Sequence, residues 1–186
     1  MPKRSIRAQY LVERKSLPVE SCADSSSKIQ QRFLQSDLFC RARALALYSA
    51  VQNEVETDAV ASRALEDGKL LVYPRVKNDD LEFVKVEKLT DLGPGAFGIL
   101  EPRGKTLVPI DEVDLIVIPG VVFDLVGHRL GYGRGFYDRA LSECRSDCVK
   151  VGFAYDSQVI AALPTTEHDK TLSVLMTESR TLKFPA

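Results

Sequence analysis

Apolar positions along this chain follow two rhythms, one helical and one strand-like. Over residues 3–16, KRSIRAQYLVERKS, Ile6, Tyr10 and Leu11 share one helical face while Lys3 and Arg7, four apart, line up on another, which predicts a basic amphipathic helix. Pro18 ends that helix or opens the next. The second is expected to run to about Phe39, with Ile29, Phe33 and Leu34 inward and Ser25-Ser26-Ser27 as its weak point. The rhythm then shortens. Ala44 to Tyr48 reads as a strand, Thr57 as the cap of a helix ending near Gly68, and Leu70 to Tyr73 as a strand stopped by Pro74-Arg75. Strand, helix and strand in so short a span predict a right-handed crossover between parallel strands. Leu81 to Val86 alternates polar and apolar, as a half-exposed strand outside the main sheet would. Leu115 to Ile118, rich in β-branched residues, reads as a strand buried on both faces and broken by Pro119-Gly120. A helix is predicted from Phe136, a parallel strand from Lys150 to Tyr155, and a strand closing the sheet from Leu172 to Met176. The expected fold is α/β: one domain over residues 1–186, with a central, mainly parallel sheet flanked by helices on both faces.

Composition narrows the partners. A chain of 186 residues with 45% hydrophobic and 27% charged residues suits one soluble domain. A net charge of −1 supplies no general basic field for nucleic acid, so anion binding has to be local. The apolar runs are too short to span a bilayer and no signal-peptide pattern opens the chain, so a cytoplasmic protein without membrane contact is expected. Cys22, Cys40, Cys144 and Cys148 form no Cys-x-x-Cys pair, and His128 and His168 lie far from such a pair; this argues for reduced thiols and against zinc.

The local anion site is sought between Asp114 and Arg139, DLIVIPGVVFDLVGHRLGYGRGFYDR. Gly131-x-Gly133-x-Gly135 lets backbone N–H groups approach an oxyanion, and the following helix start adds partial positive charge. Arg129 and Arg134 bracket the loop and can hold phosphate oxygens. Asp138, in the first helical turn, can hold Mg²⁺ against the same phosphates. The spacing is neither a Walker A loop nor a dinucleotide fingerprint, and a glycine-rich surface turn with scattered charges is the plain alternative. Glu54 falls in the loop beyond the carboxyl end of a parallel strand, where open α/β sheets bind ligands, and Arg75 holds the corresponding place after the next strand. Taken alone, each equally fits a solvated loop residue. Lys3 and Arg7 can likewise close over a polyphosphate or form a solvated face. Gly93 to Pro102, with apolar Phe97 and Ile99, fits either core packing or the rim of a pocket for a flat organic ligand. Asp169, in the loop before the last predicted strand, is a second acidic candidate for Mg²⁺.

Seven segments in order, KRSIR at Lys3–Arg7, NEVET at Asn53–Thr57, YPR at Tyr73–Arg75, GILEP at Gly98–Pro102, PGVVFD at Pro119–Asp124, RLGYGRGFYDR at Arg129–Arg139 and HD at His168–Asp169, cover nearly the whole chain. Together they resemble the 5-formyltetrahydrofolate cyclo-ligase family, also called methenyltetrahydrofolate synthetase. Phe136 stands where many members carry a second tyrosine, and Arg134 where glycine or lysine is more usual.

The resemblance implies an ATP- and Mg²⁺-dependent conversion of 5-formyltetrahydrofolate to 5,10-methenyltetrahydrofolate, with release of ADP and phosphate. Lys3, Arg4 and Arg7 then fall on the nucleotide-binding N-terminal segment. Arg129, Leu130, Gly131, Tyr132, Gly133, Arg134, Gly135, Phe136 and Tyr137 fall on the phosphate loop, whose centre from Tyr132 to Phe136 also faces folate. Ser49 and Glu54 fall on the substrate side, Arg134, Tyr137 and Asp138 on the catalytic set, and Asp138 and Asp169 on the metal ligands. The family is thought to phosphorylate the formyl oxygen before ring closure, which asks mainly for positioning and charge neutralisation. The loop carrying Phe97 is a candidate lid that would keep water from the reactive intermediate, and a monomer is expected. The rivals are another ATP-grasping or sugar-phosphate enzyme, and a non-catalytic folate- or nucleotide-binding protein.

Overall fold

Ten of the chain's apolar core positions show how the sheet is built. Leu45, Leu71, Leu115, Val117 and Val151 pack into one buried cluster, while Ala46, Val72, Ile116, Ile118 and Leu175 pack into another. Neighbours in sequence fall on opposite faces, as the two-residue period of a strand requires, and both faces are apolar because helices cover both. The computed structural model describes residues 2–166 and 169–185, so His168 lies outside the described residues.

The helices are α1 (Lys3–Lys15), α2 (Val19–Leu34), α3 (Asp37–Arg41), α4 (Asp58–Glu66) and α5 (Phe136–Glu143). The strands are β1 (Ala44–Ala46), β2 (Leu70–Lys77), β3 (Asp80–Lys85), β4 (Leu92–Pro94), β5 (Leu100–Pro102), β6 (Leu115–Ile118), β7 (Val122–Asp124), β8 (Arg129–Leu130), β9 (Val149–Phe153), β10 (Val159–Ile160), β11 (Val174–Met176) and β12 (Thr181–Lys183). Seven form the main sheet in the order β12-β11-β9-β6-β1-β2-β3; β10-β7-β8 form a small second sheet and β4-β5 a hairpin. From β1 the chain steps to β2 on one side, and from β6 it steps to β9 on the other, all in parallel pairs. The sheet therefore reverses its winding between β1 and β6, and a crevice opens at their carboxyl ends. Ile29 and Phe33 of α2 and Val60, Ala61 and Ala64 of α4 pack on one face, Ala140 and Leu141 of α5 on the other. Helix α1 lays Ile6 against Val121, Val122 and Leu130.

Several expectations are corrected here. The helix expected to reach Phe39 stops at Leu34, and a new one starts at Asp37, where the Ser36 hydroxyl accepts from the Phe39 N–H. The serine run does not break α2: Ser26 is buried and its hydroxyl accepts from the Glu56 N–H at 3.1 Å. Thr57 holds the N-cap position of α4 as expected, but its hydroxyl donates to the Tyr48 carbonyl at 2.7 Å and accepts from no N–H of the first turn. Strand β2 runs through Pro74 to Lys77 rather than stopping at Tyr73. Pairing with β1 ends at Val72, so beyond it only the β3 side of β2 remains to be paired and the proline is tolerated. The segment from Leu81 to Val86 forms most of β3, which belongs to the main sheet as its edge rather than lying outside it, and antiparallel β12, not β11, closes the other edge. Among the described residues no helix is long and apolar enough to cross a membrane.

Candidate active site

The crevice between β1 and β6 holds about 520 Å³, within the usual size range of small-molecule sites. Its floor is the turn Pro119-Gly120 after β6. The β1–α4 loop forms one wall, with Ser49 and Glu54. The glycine-rich loop from Gly131 to Gly135 and the start of α5 form the opposite wall. Lys3 and Arg7 of α1 and Asp169 close one end, and Phe97 and Ile99 of the β4–β5 hairpin form the rim at the other.

Backbone geometry explains the glycines. Gly133 has φ +96°, and a Cβ there would lie 3.2 Å from the Arg7 guanidinium, so the residue serves both the turn and the close approach of the cation. The Arg7 Nε–H donates to the Gly131 carbonyl at 2.7 Å, tying α1 to the loop. Gly135, at φ +70°, is the N-cap of α5, so the helix N-terminus opens on the crevice.

Two ion pairs line the crevice. Arg129 Nη2 donates to Asp138 Oδ1 at 2.8 Å, and Lys3 Nζ donates to Asp169 Oδ2 at 2.5 Å. Burial pushes the Asp169 carboxyl up, but Lys3 and the Thr166 N–H more than offset it, and the net shift is downward. Burial lowers the Arg129 guanidinium, and Asp138 opposes this. The buried Nε–H of Arg129 has no partner among the described residues. Such a donor is costly unless something accepts from it. Arg134 is exposed and stacks on Phe97, its guanidinium carbon 4.1 Å from the ring centre.

The carboxylate wall is drier. Glu54 is buried; its Oε2 accepts from the Val51 N–H at 3.0 Å and its Oε1 from the Tyr132 hydroxyl at 2.8 Å. Burial raises the Glu54 carboxyl; Arg14, the Val51 N–H and the Tyr132 hydroxyl pull it back without cancelling the shift. Tyr137, on the first turn of α5, is also raised, first by burial and then by Glu54. The Ser49 hydroxyl donates to the Leu100 carbonyl at 2.7 Å, joining this wall to the hairpin.

Of the residues singled out above, Lys3, Arg7, Ser49, Glu54, the run from Arg129 to Asp138, and Asp169 all line this one crevice. Two do not. Arg4 is exposed and lies outside it. Arg75 sits within β2 and donates to Glu82 at 3.1 Å and to the Gly104 carbonyl at 2.9 Å, a clip between β2, β3 and the strand-leading loop rather than a ligand contact. Phe97 and Ile99, left between core and rim, are on the rim. The residue overlooked is Arg14, buried beneath the Glu54 wall. Its signal was present in the sequence: at 100° per residue, Lys3, Arg7 and Arg14 fall on one stripe of α1.

Comparison with known proteins gives the chain its relatives. The profile of the 5-formyltetrahydrofolate cyclo-ligase family matches residues 1–178. A solved 5,10-methenyltetrahydrofolate synthetase of Aquifex aeolicus superposes with a TM-score of 0.91 at 34% identity, covering 100% of this chain and 94% of that one. One from Mycoplasma pneumoniae gives 0.79 at 26% identity, covering 96% and 99%. The 5-formyltetrahydrofolate cyclo-ligase of Haemophilus influenzae is 29% identical over 91% of this chain and 94% of its own length. A match over nearly the whole chain, with the family's glycine-rich segment folded into the wall of this crevice, means that this chain belongs to the 5-formyltetrahydrofolate cyclo-ligase family.

Proposed function

We infer that the chain is an ATP-dependent 5-formyltetrahydrofolate cyclo-ligase that makes 5,10-methenyltetrahydrofolate in the crevice between β1 and β6. The observation that carries this is the meeting of Lys3, Arg7, Arg129 and Arg134 with the buried Glu54 across a single cleft. A polyphosphate suits the first group, and an N–H-bearing pyrimidine edge suits the second.

A formyl amide oxygen is a poor leaving group. In the first step this oxygen attacks the γ-phosphorus of ATP; an O–P bond forms, the bond from the γ-phosphorus to the bridging oxygen breaks, and ADP departs. The folate N10 lone pair then adds to the formyl carbon and N10 loses its proton. The C–O bond breaks with expulsion of inorganic phosphate, leaving the cationic methenyl bridge. Proton and charge balance ask the protein for positioning and anion neutralisation rather than for a strong nucleophile. Arg7, Arg129 and Lys3 face the phosphates, with the Nε–H of Arg129, which has no partner among the described residues, as a ready donor. Arg134 follows the transferring group, and Tyr137 shields it from water. Glu54 and Ser49 hold the pterin.

Asp138 and Asp169 present hard oxygen ligands at the phosphate end, a donor set that fits Mg²⁺ completed by phosphate oxygens and water. The ion supplies charge neutralisation on the phosphates when bound. Both carboxylates are paired with cations of the chain, Asp138 with Arg129 and Asp169 with Lys3. The chain is proposed to act as a monomer in the cytoplasm.

The test is absorbance in the ultraviolet band of the methenyl product. Protein, 5-formyltetrahydrofolate and Mg²⁺ are mixed and ATP is added last. A rise that waits for ATP is expected; tight folate binding with no rise would make the protein a binding module instead.

A further inference from the structure

Arg14 lies in the last turn of α1 with its side chain 1% exposed, too deep to meet a nucleotide directly. All three of its nitrogens are engaged. Nε donates to the Gln52 carbonyl at 3.1 Å, Nη1 to the Gly120 carbonyl at 2.9 Å, and Nη2 to the Tyr132 hydroxyl at 2.5 Å. One guanidinium thus ties together the β1–α4 loop, the turn after β6 and the glycine-rich loop. The Tyr132 hydroxyl, receiving from Arg14, passes its own proton toward Glu54 Oε1 at 2.8 Å, and Arg14 Nη2 stands 3.8 Å from the same oxygen. The contact is reciprocal, since the Asn53 amide donates back to the carbonyls of Arg14 and Leu17 at 3.2 and 3.3 Å. Gln52 and Asn53 both hold positive φ, 51° and 59°, a bend that persists because this clamp over-determines it.

We propose that Arg14 is a positioning residue for the folate side of the reaction: through Tyr132 it fixes the Glu54 carboxylate, ionised and oriented, to receive the pterin's N–H groups. This rests on the reading of Glu54 as the pterin contact. An ionised carboxylate only accepts hydrogen bonds, whereas its protonated form presents a hydroxyl that would meet a pterin N–H donor to donor. Burial favours that wrong form. The groups facing Glu54 are Arg14 from α1, Tyr132 from the glycine-rich loop, Tyr48 beyond β1, Tyr137 from α5, and Tyr155 after β9, whose hydroxyl reaches the Glu54 carbonyl at 3.4 Å. Arg14 is the only formal cation among them. Lysine could keep the charge but not the planar fork that serves three acceptors at once.

The sign follows. Ionised Glu54 is the binding form, so kcat/KM for folate falls as pH drops through its pKa. Removing Arg14 moves that acid limb to higher pH. The experiment compares Arg14→Met, Arg14→Lys, Tyr132→Phe and Glu54→Gln, each checked for folding by circular dichroism, with KM for both substrates and the pH profile of kcat/KM for 5-formyltetrahydrofolate. Arg14→Met is expected to raise the folate KM by about tenfold or more. Its KM for ATP should stay within about twofold, and its acid limb should rise by about half a pH unit or more. Arg14→Lys keeps an acid limb near wild type but a raised folate KM, and Tyr132→Phe shifts both in the direction of Arg14→Met. Equal changes in both KM values, or an unmoved acid limb in folded Arg14→Met, would overturn the proposal. Should Arg14→Met fail to fold, wild-type folate KM and acid limb in both Arg14→Lys and Tyr132→Phe would overturn it just as well. Glu54→Gln separates the two layers. A wild-type folate KM there defeats the reading of Glu54 itself, while an impaired Glu54→Gln beside unaffected Arg14 and Tyr132 variants defeats only the role given to Arg14.

Discussion

At the residue scale, Asp138 carries two burdens. As an exposed first-turn carboxylate it would stabilise α5 by only about 0.3–1 kcal/mol. It also accepts from Arg129, whose side chain is 4% exposed against 32% for Asp138, so deleting it strands a buried cation. Asp138→Ala is therefore expected to lose about 1–3 kcal/mol, discounted below the cost of breaking a fully buried pair. Asp138→Asn keeps an acceptor and should unfold close to wild type in a denaturant titration. Neither variant should turn over; an active Asp138→Asn would take this side chain out of the metal site. Arg7→Ala removes a charge-assisted donor from the phosphate end and should raise the KM for ATP by about tenfold while moving the folate KM much less. An unchanged ATP dependence would return Arg7 to a role in tying α1 to Gly131. These residues were legible because their chemistry is local: three alternating glycines and two arginines fall within the seven positions from Arg129 to Gly135. Arg14 was harder to read: its place on the Lys3–Arg7 stripe sets it apart from Arg4 and Lys15, but that it is buried, unlike them, shows only in the fold.

At the element scale, the β4–β5 hairpin sets the rim of the crevice through a residue in a conformation that side chains avoid. Phe97 has φ +57° and is 60% exposed, yet its ring supports Arg134. An exposed cation–π contact is worth about 0.5–1 kcal/mol, and a left-handed non-glycine residue costs about 1–2 kcal/mol, so the element holds this turn at a net expense. Alanine keeps the backbone cost and loses the stacking; glycine loses both. Phe97→Gly should accordingly be more stable than Phe97→Ala by about 1 kcal/mol in thermal unfolding, while both raise the folate KM. If alanine proves the more stable, the turn is unstrained and the rim owes its shape to side-chain packing. Such elements were the least legible. Proline at position 74 suggested a strand end, but whether a missing N–H matters depends on which side of β2 is paired, and that is decided by how far β1 extends. The edge strands β3 and β12 were likewise misjudged, since half-exposed alternation does not say to which sheet a strand belongs.

At the scale of the whole molecule, the site exists only because distant segments converge. Lys3 meets Asp169 across 166 positions of chain, Arg7 meets Gly131 across 124, and Glu54 meets Tyr132 across 78. The mainly parallel sheet was legible from short buried apolar runs; its reversal between β1 and β6, which fixes where the crevice opens, was not, because strand order depends on pairings that no run of residues encodes. What no local pattern could show is that both acidic metal candidates rest against cations. This has a consequence for binding. On the proposed assignment, a triphosphate arriving alone would compete with Asp138 and Asp169 for Arg129 and Lys3 and lie beside two carboxylates, whereas a triphosphate carrying Mg²⁺ would give those carboxylates a partner of their own. Ligand at about a hundred times its Kd stabilises a folded protein by about 2.7 kcal/mol, which for a chain of this length raises Tm by about 5–10 °C. ATP with Mg²⁺ is expected to produce a shift of that size, and ATP with EDTA at the same concentration a clearly smaller one. In Asp138→Asn the difference between the two conditions should shrink, because half of the carboxylate repulsion is gone. Equal shifts with Mg²⁺ and with EDTA in the unmodified protein would separate Asp138 and Asp169 from the metal and leave them as counter-ions that keep Arg129 and Lys3 in place.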